Sequence, residues 1–436
     1  MVAVVGGAVL AGLFFSLPRL AELFHFDKIK ALASVDAPIV PRQKTKEELI
    51  AEAMEKSGNV RALYMTADVA NDPGAGATRL RDHIIALADT TEINGMVIDV
   101  KETCGPDYNE ARLKNLLDEL HRKNIWAIAR IVSFKDASQR EIHPEWYLTR
   151  RTYRSAPDGC PSKHHLVAKS TAGAAAPAAP ARILWQDNKG GYWMDPASQG
   201  AREYITGVGK KMIDVGFDEL QFDYVRFPSD GDVSEAHYPA WDGVTPRHEV
   251  MKSFFEFLSE NLKAYKPDII LSADLFGYVA SQGADNTIGQ RVADIGVSFD
   301  YLSFMVYPSH YYNGLELPAD PRNDLAAVDL SFVAARTHPD IVVGRSLQVA
   351  HDFLNPVIAS STATSSPVSV APARHARIRP WLEDFFHETD RLSHRPWGAE
   401  KVRLQIDAAE KVEDHGWMLW NASNVYTEGA LKKDTP

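Results

Sequence analysis

Cysteine is almost missing from this chain. Cys104 and Cys160 are the only two in 436 residues, too few for a disulfide-stapled scaffold and without the paired spacing of a zinc site. Both fall in loops after apolar runs, which leaves either one disulfide in an oxidising compartment or two unrelated thiols. Positive charge is also short: 47 Lys and Arg stand against 58 Asp and Glu, a formal net charge of −11. Without a basic stripe, a nucleic-acid surface is excluded. The glycine-containing stretches at residues 4–12 and at Lys189-Gly190-Gly191 lack the strand and helix that flank a phosphate loop. Residues 2–17 carry no charge, a run long for the core of a signal peptide and short for a full membrane span. It predicts export, with residues 1–20 as a signal peptide or membrane anchor and residues 21–60 as a polar tether. A helix over 45–56 is expected inside that tether.

What the chain does have is alternation. Eight apolar, strand-like runs, at residues 62–67, 95–100, 125–131, 220–227, 269–276, 301–308, 378–385 and 417–422, alternate with helix-like segments. Those segments cover residues 77–90, 109–123, 198–215, 245–266, 287–293, 323–337 and 399–415. Eight βα units in one run predict α/β architecture, a single (β/α)8 TIM barrel over residues 61–430, with an open doubly wound sheet as the second choice. Two Ala/Pro/Ser-rich stretches, at 168–181 and 359–373, cannot bury enough surface to fold alone and read as loop insertions decorating the barrel.

The strand ends carry the chemistry. In Leu220-Gln221-Phe222-Asp223-Tyr224-Val225-Arg226-Phe227 side chains two apart share a face, so Gln221 and Asp223 point the same way, with the carboxylate nearer the C-terminal end. That end is where a barrel builds its pocket. The same reading collects Asp99 and Lys101 from strand two, Arg130 from three, Arg226 from four, Asp274 from five and Tyr307 from six. It adds Trp381, Glu383 and Asp384 from strand seven, with Trp420 and Asn421 from eight. Carboxylates amid aromatic residues suit glycoside hydrolysis, one group acting as general acid and the other as nucleophile or base, with Tyr and Trp as platforms for sugar faces. Rival chemistries lack their signatures, since strand one has no His-x-His pair and strand six no Schiff-base lysine. No cofactor or metal is expected.

Several strings also carry a family resemblance: Tyr192-Trp193-Met194-Asp195-Pro196, the strand-four run, Ser272-Ala273-Asp274-Leu275-Phe276-Gly277, Met305-Val306-Tyr307-Pro308-Ser309-His310-Tyr311, Arg379-Pro380-Trp381-Leu382-Glu383-Asp384-Phe385 and Trp417-Met418-Leu419-Trp420-Asn421. From about residue 61 to the C-terminus the chain resembles the bacterial putative glycoside hydrolase domain family, which belongs with the TIM-barrel glycosidases. The resemblance implies a polysaccharide or oligosaccharide substrate of the bacterial surface or wall. One turn departs from the family pattern, Lys101-Glu102-Thr103-Cys104-Gly105, so Glu102 is left out of the site. Within the site, Asp223 is expected as nucleophile or base, with Arg226 holding it ionised, and Asp274, in an apolar setting, as the acid. Asp99 and either Glu383 or Asp384 would bind sugar hydroxyls or amines. Two other function classes fit the same residues: a non-catalytic carbohydrate-binding barrel and an acidic pocket holding a divalent cation.

Overall fold

The computed structural model describes residues 42–151, 159–160, 183–356, 376–385 and 398–433. The expected signal or anchor segment, most of the tether and both Ala/Pro/Ser-rich insertions lie outside the described residues. Among those described, no helix is long and apolar enough to cross a membrane.

Strands β1 (Val60–Met65), β2 (Gly95–Glu102), β3 (Trp126–Val132), β4 (Glu219–Asp223), β5 (Ile270–Phe276), β6 (Tyr301–Met305), β7 (Trp381–Glu383) and β8 (Gly416–Trp420) pair in sequence order, all parallel. Because β1 hydrogen-bonds to both β2 and β8, the sheet closes on itself. The closed eight-stranded (β/α)8 barrel is the architecture expected from the alternation of runs. Closure is tight: a Cβ on Gly416, at φ +87°, would sit 1.9 Å from the carbonyl oxygen of Val60, so only glycine fits there.

Helices α1 (Lys46–Lys56), α2 (Ala75–Ala88), α3 (Glu110–Arg122), α4 (Gln199–Val215), α5 (Arg247–Tyr265), α6 (Pro339–Leu354) and α7 (Ala399–Val412) accompany the strands. Their starts are written locally: Asn109 and Ser198 accept the N–H groups of Arg112 and Ala201, capping α3 and α4. The two-residue period of each strand then divides the core. Outward residues such as Leu63, Ile98, Ile131, Phe222, Leu275 and Phe304 join the helix faces in one large cluster. Inward residues Ala62, Val97, Ile128, Trp381 and Met418 fill the barrel lumen.

Strand β4 places Glu219, Gln221 and Asp223 on the lumen side, one above the other, from floor to rim. At the floor, Arg379 grips Glu219 with two bonds of 3.0 and 2.8 Å, and both side chains are wholly buried. The same guanidinium donates to the carbonyl of Ser57 at 2.6 Å, and the Tyr301 hydroxyl also donates to that carbonyl at 2.8 Å. Thus the end of the expected tether, α1 and the turn after it, is fastened to the barrel floor. Half-way up, the Gln221 amide donates to the Ser303 hydroxyl at 3.2 Å. The rim is left to Asp223.

Two expected strands and two expected helices differ. The fourth strand stops at Asp223 and not at residue 227, because Tyr224 turns to a left-handed φ of +51°, which strand pairing does not accommodate. The seventh is interrupted by Pro380, which has no N–H to give the ladder, so residues 377–378 pair with β6 before β7 begins at Trp381. The helices expected at 287–293 and 323–337 are mostly hairpin and loop, while α6, which was not expected, starts with Pro339 at a position where the missing N–H costs nothing.

The two cysteines are joined. Cys104, just after β2, bonds to Cys160 across 56 positions, closing a loop whose loss of unfolded-state entropy is worth ~4 kcal/mol in the loop-closure treatment. Reduction, or Cys104→Ser, is expected to lower the unfolding free energy by about that much in urea titrations followed by circular dichroism. Equal stability of the reduced and oxidised protein would show that the closed loop carries none of it.

Candidate active site

The cluster at the rim is built around one guanidinium. Arg130, inward on β3, is level with Asp99 on β2 and donates to it at 2.6 Å. With its other Nη it donates to Asp223 on β4, and its Nε lies 3.7 Å from Asp274 on β5. Three carboxyl groups from three strands therefore meet a single cation at the centre of the cluster. Tyr64 on β1 donates its hydroxyl to the second oxygen of Asp99, and the rings of Tyr64 and Trp420 lie 4.0 Å apart beside the guanidinium. A divalent cation would have to displace Arg130 to occupy that centre.

Asp223 and Asp274 stand on neighbouring strands, one step beyond the last paired residues, Phe222 and Ala273. Their environments differ. Asp223 Oδ2 takes the Arg130 N–H and Oδ1 takes the N–H of Tyr224 at 2.5 Å, so both oxygens act as acceptors. Asp274 is held by one bond, from the Trp381 indole to Oδ1 at 2.8 Å, while its Oδ2 is buried with no hydrogen-bond partner. Burial first, and the negative charge of Asp223 second, push the Asp274 carboxyl well above its ordinary pKa. That shift favours the protonated acid.

These residues open on a cavity of about 550 Å³. Of the residues expected from sequence, Arg130, Asp223, Arg226, Asp274, Tyr307, Trp381 and Trp420 line it. Burial and the charges of Asp274 and Asp223 push the Tyr307 phenol far up, so it offers a neutral hydroxyl. The other expected residues are elsewhere. Asp99 sits behind Arg130. Lys101 is fully buried in an ion pair with Asp136 at 2.8 Å and never reaches the cleft, because β2 carries an irregularity between Asp99 and Lys101. Glu383 accepts the N–H of Ser309 at 3.0 Å. Asp384 is taken up by the N–H and hydroxyl of Thr427, and Asn421 donates to the carbonyls of Asp384 and Val425. The last two brace the loop after β8 and border a neighbouring cavity of about 540 Å³.

Sequence reasoning missed Lys189, Phe276, Tyr278, Tyr311 and Tyr312, which also line the cleft. Four of these belong to or adjoin strings singled out above, while Lys189 was met only in a glycine stretch set aside as no phosphate loop. Glu102, set aside from sequence, lies beside Asp99; burial first and that neighbour's charge second raise its pKa to about 7. Between pH about 4.5 and 7 the folded state then holds a proton that the unfolded chain has released, so stability falls as pH rises through that window. Glu102→Gln is expected to flatten this slope in urea titrations across the range. An unchanged slope would remove Glu102 as its source.

An aromatic cleft over paired carboxyl groups, at the C-terminal ends of a closed parallel barrel, is glycoside hydrolase architecture. The chain matches the family described as "Putative glycosyl hydrolase domain" over residues 62–157 and 163–426 and belongs to it. No curated protein matches it. Among solved structures, a hypothetical protein from Ruminiclostridium thermocellum ATCC 27405 is 26% identical, over 49% of this chain and 96% of its own, with a TM-score of 0.35. The Thermus thermophilus α-galactosidase TtGalA, solved with stachyose, is 14% identical over 89% of this chain and 68% of its own, at a TM-score of 0.42. The Bacillus megaterium QM B1551 spore cortex-lytic enzyme SleL is 9% identical over 85% and 72%, at 0.41.

Proposed function

We propose that this glycoside hydrolase cleaves an extracytoplasmic polysaccharide of the bacterial envelope or its surroundings, with Asp274 as general acid and Asp223 as nucleophile. The observation that carries the assignment is the contrast between the two groups: Asp274 buried with a free oxygen beside the cavity, Asp223 with both oxygens fed by donors. Asp274 gives its proton to the glycosidic oxygen as that bond breaks, and an Asp223 oxygen attacks the anomeric carbon to form a glycosyl ester. Asp274, now a carboxylate, takes a proton from water, which attacks the same carbon and frees Asp223. Neighbouring strands lie about 4.8 Å apart, which suits the roughly 5–5.5 Å between the carboxyl groups of a retaining enzyme. Tyr224, in its left-handed conformation next to Asp223, is the kind of backbone strain that gathers at reacting centres.

The test is a screen of wall and capsule oligosaccharides with product analysis, and proton NMR of the first anomer released from any that is cleaved. Retention of configuration is expected; inversion would make Asp223 a base for water. The disulfide supports a location on the oxidising side of the membrane, as does the uncharged run at residues 2–17. Cell fractionation decides it, and a cytosolic protein with reduced cysteines would overturn the location.

A further inference from the structure

Among the described residues, the cleft of this acidic protein contains a cation held in no ion pair. Arg226 is 7% exposed and packed against the rings of Phe276, Trp193 and Tyr224 at 4.5, 5.0 and 5.1 Å. Only its Nη1 donates, to the Phe227 carbonyl at 3.1 Å and the Ser229 hydroxyl at 3.2 Å. The sequence suggested that it would serve Asp223, but Arg130 fills that place. Among the described residues no carboxylate forms an ion pair with Arg226. Its other nitrogens are not sealed off from the cavity that the residue lines. A guanidinium does not give up its proton, and a buried charge without a counter-ion is costly.

A second cation stands at the same cleft. Lys189 lies on a loop fixed by Asp187, whose Oδ1 takes the N–H groups of Lys189 and Gly191 at 3.0 and 2.8 Å. The other Asp187 oxygen takes the indole of Trp193 at 2.9 Å and pairs with Lys135 at 2.8 Å. One carboxylate thus holds both the loop that carries Lys189 and the ring on which Arg226 is stacked. Elsewhere in the cleft Arg130 is taken up by Asp99 and Asp223. The guanidinium left without an ion pair is a rigid planar fork suited to an oxyanion with two parallel acceptors.

We infer that the sugar bound beside Asp223 and Asp274 carries a carboxylate, as a uronic acid does, gripped by the free edge of Arg226 and attracted by Lys189. This rests on the reading of the cleft as a glycosidase site. Sugar-face stacking on the aromatic walls gives no charge preference, so the charge selectivity is assigned to these two residues. A mono-anion matches the one buried guanidinium that has no ion-pair partner among the described residues and leaves Lys189 for the next residue of an acidic chain.

The test uses the full-length Asp274→Asn protein, in which turnover is slowed by orders of magnitude, and calorimetric titration with oligogalacturonate, oligoguluronate and heparosan fragments. Each is compared with its carboxyl-reduced, neutral counterpart. At least one acidic member is expected to bind about tenfold or more tightly than its counterpart, with Arg226→Gln erasing the difference and Lys189→Ala reducing it. Lys189 is exposed, so its variant reports even where Arg226→Gln fails to fold. No acidic member exceeding its counterpart overturns the inference, and so does selectivity that survives both replacements or is met only by sulfated sugars. Acid-selective binding without hydrolysis by the native protein would sink the catalytic proposal alone, whereas hydrolysis of neutral glycans with no acid preference would sink only this one.

Discussion

Asp274→Asn is expected to lower turnover by about two to four orders of magnitude, the range that a positioned general acid contributes, while the protein folds as before. The replacement is isosteric and keeps an acceptor for the Trp381 indole. Burial favours the protonated form of the native carboxyl, so a neutral amide is no more costly there and the melting temperature should be unchanged or slightly higher. The loss should depend on the leaving group: a nitrophenolate departs without help, so the defect shrinks on an activated glycoside and is full on a natural sugar. Turnover should also fall as pH rises through the elevated pKa of Asp274, where the acid form disappears. Asp223→Asn removes the attacking oxygen, so its loss is expected to be at least as large and indifferent to the leaving group. If both variants keep near-native activity on a glycan the native protein cleaves, the assignment is wrong, and Glu383 is the next residue to examine.

The second large effect falls on stability. Arg130→Met takes away the one cation that Asp99, Asp223 and Asp274 share, leaving carboxylates buried without a partner. Breaking a buried ion pair from one side costs about 3–5 kcal/mol, and here more than one carboxylate is stranded. The charge of Arg130 holds the raised pKa of Asp274 down, so its loss pushes that pKa further up, and the deficit grows as pH rises above the unfolded carboxylate range. Thermal unfolding from about pH 4 to 8 measures this. A deficit independent of pH would mean that Arg130 acts by packing and not by charge.

The sequence made the barrel legible because a parallel strand needs an apolar run and a helix needs a cap, and both are local. Asp223 and Asp274 were legible for a related reason: with strand direction known, the last inward residue of a strand is a matter of counting by two. Cross-strand partners were not. Arg226 is three positions from Asp223 and by sequence its expected companion, yet the left-handed turn at Tyr224 carries Arg226 onto an aromatic stack and leaves Arg130, 93 positions earlier, to meet the carboxylate. Which residues meet across the lumen depends on register, which no single strand encodes. Asp384 and Asn421 misled because they follow strand ends as catalytic groups do, though their work is to tie the loop after β8. Lys101 misled through the irregularity in β2, which breaks the count by two. Helix α6 had a signal, Pro339 before the apolar positions Val342, Val343, Leu347, Ala350 and Leu354, all buried, that the expected helix over 323–337 displaced.

Trapping the covalent intermediate tests the central claim most directly. A 2-deoxy-2-fluoro glycosyl fluoride, made from whichever sugar the screen shows is released, slows the departure of the glycosyl group and lets it accumulate on the nucleophile of a retaining enzyme. Peptide mass spectrometry should find the added sugar on the peptide that contains Asp223 and on none in Asp223→Asn. A sugar attached to any other carboxylate, or turnover of the cleaved glycan with no adduct at all, would contradict the account.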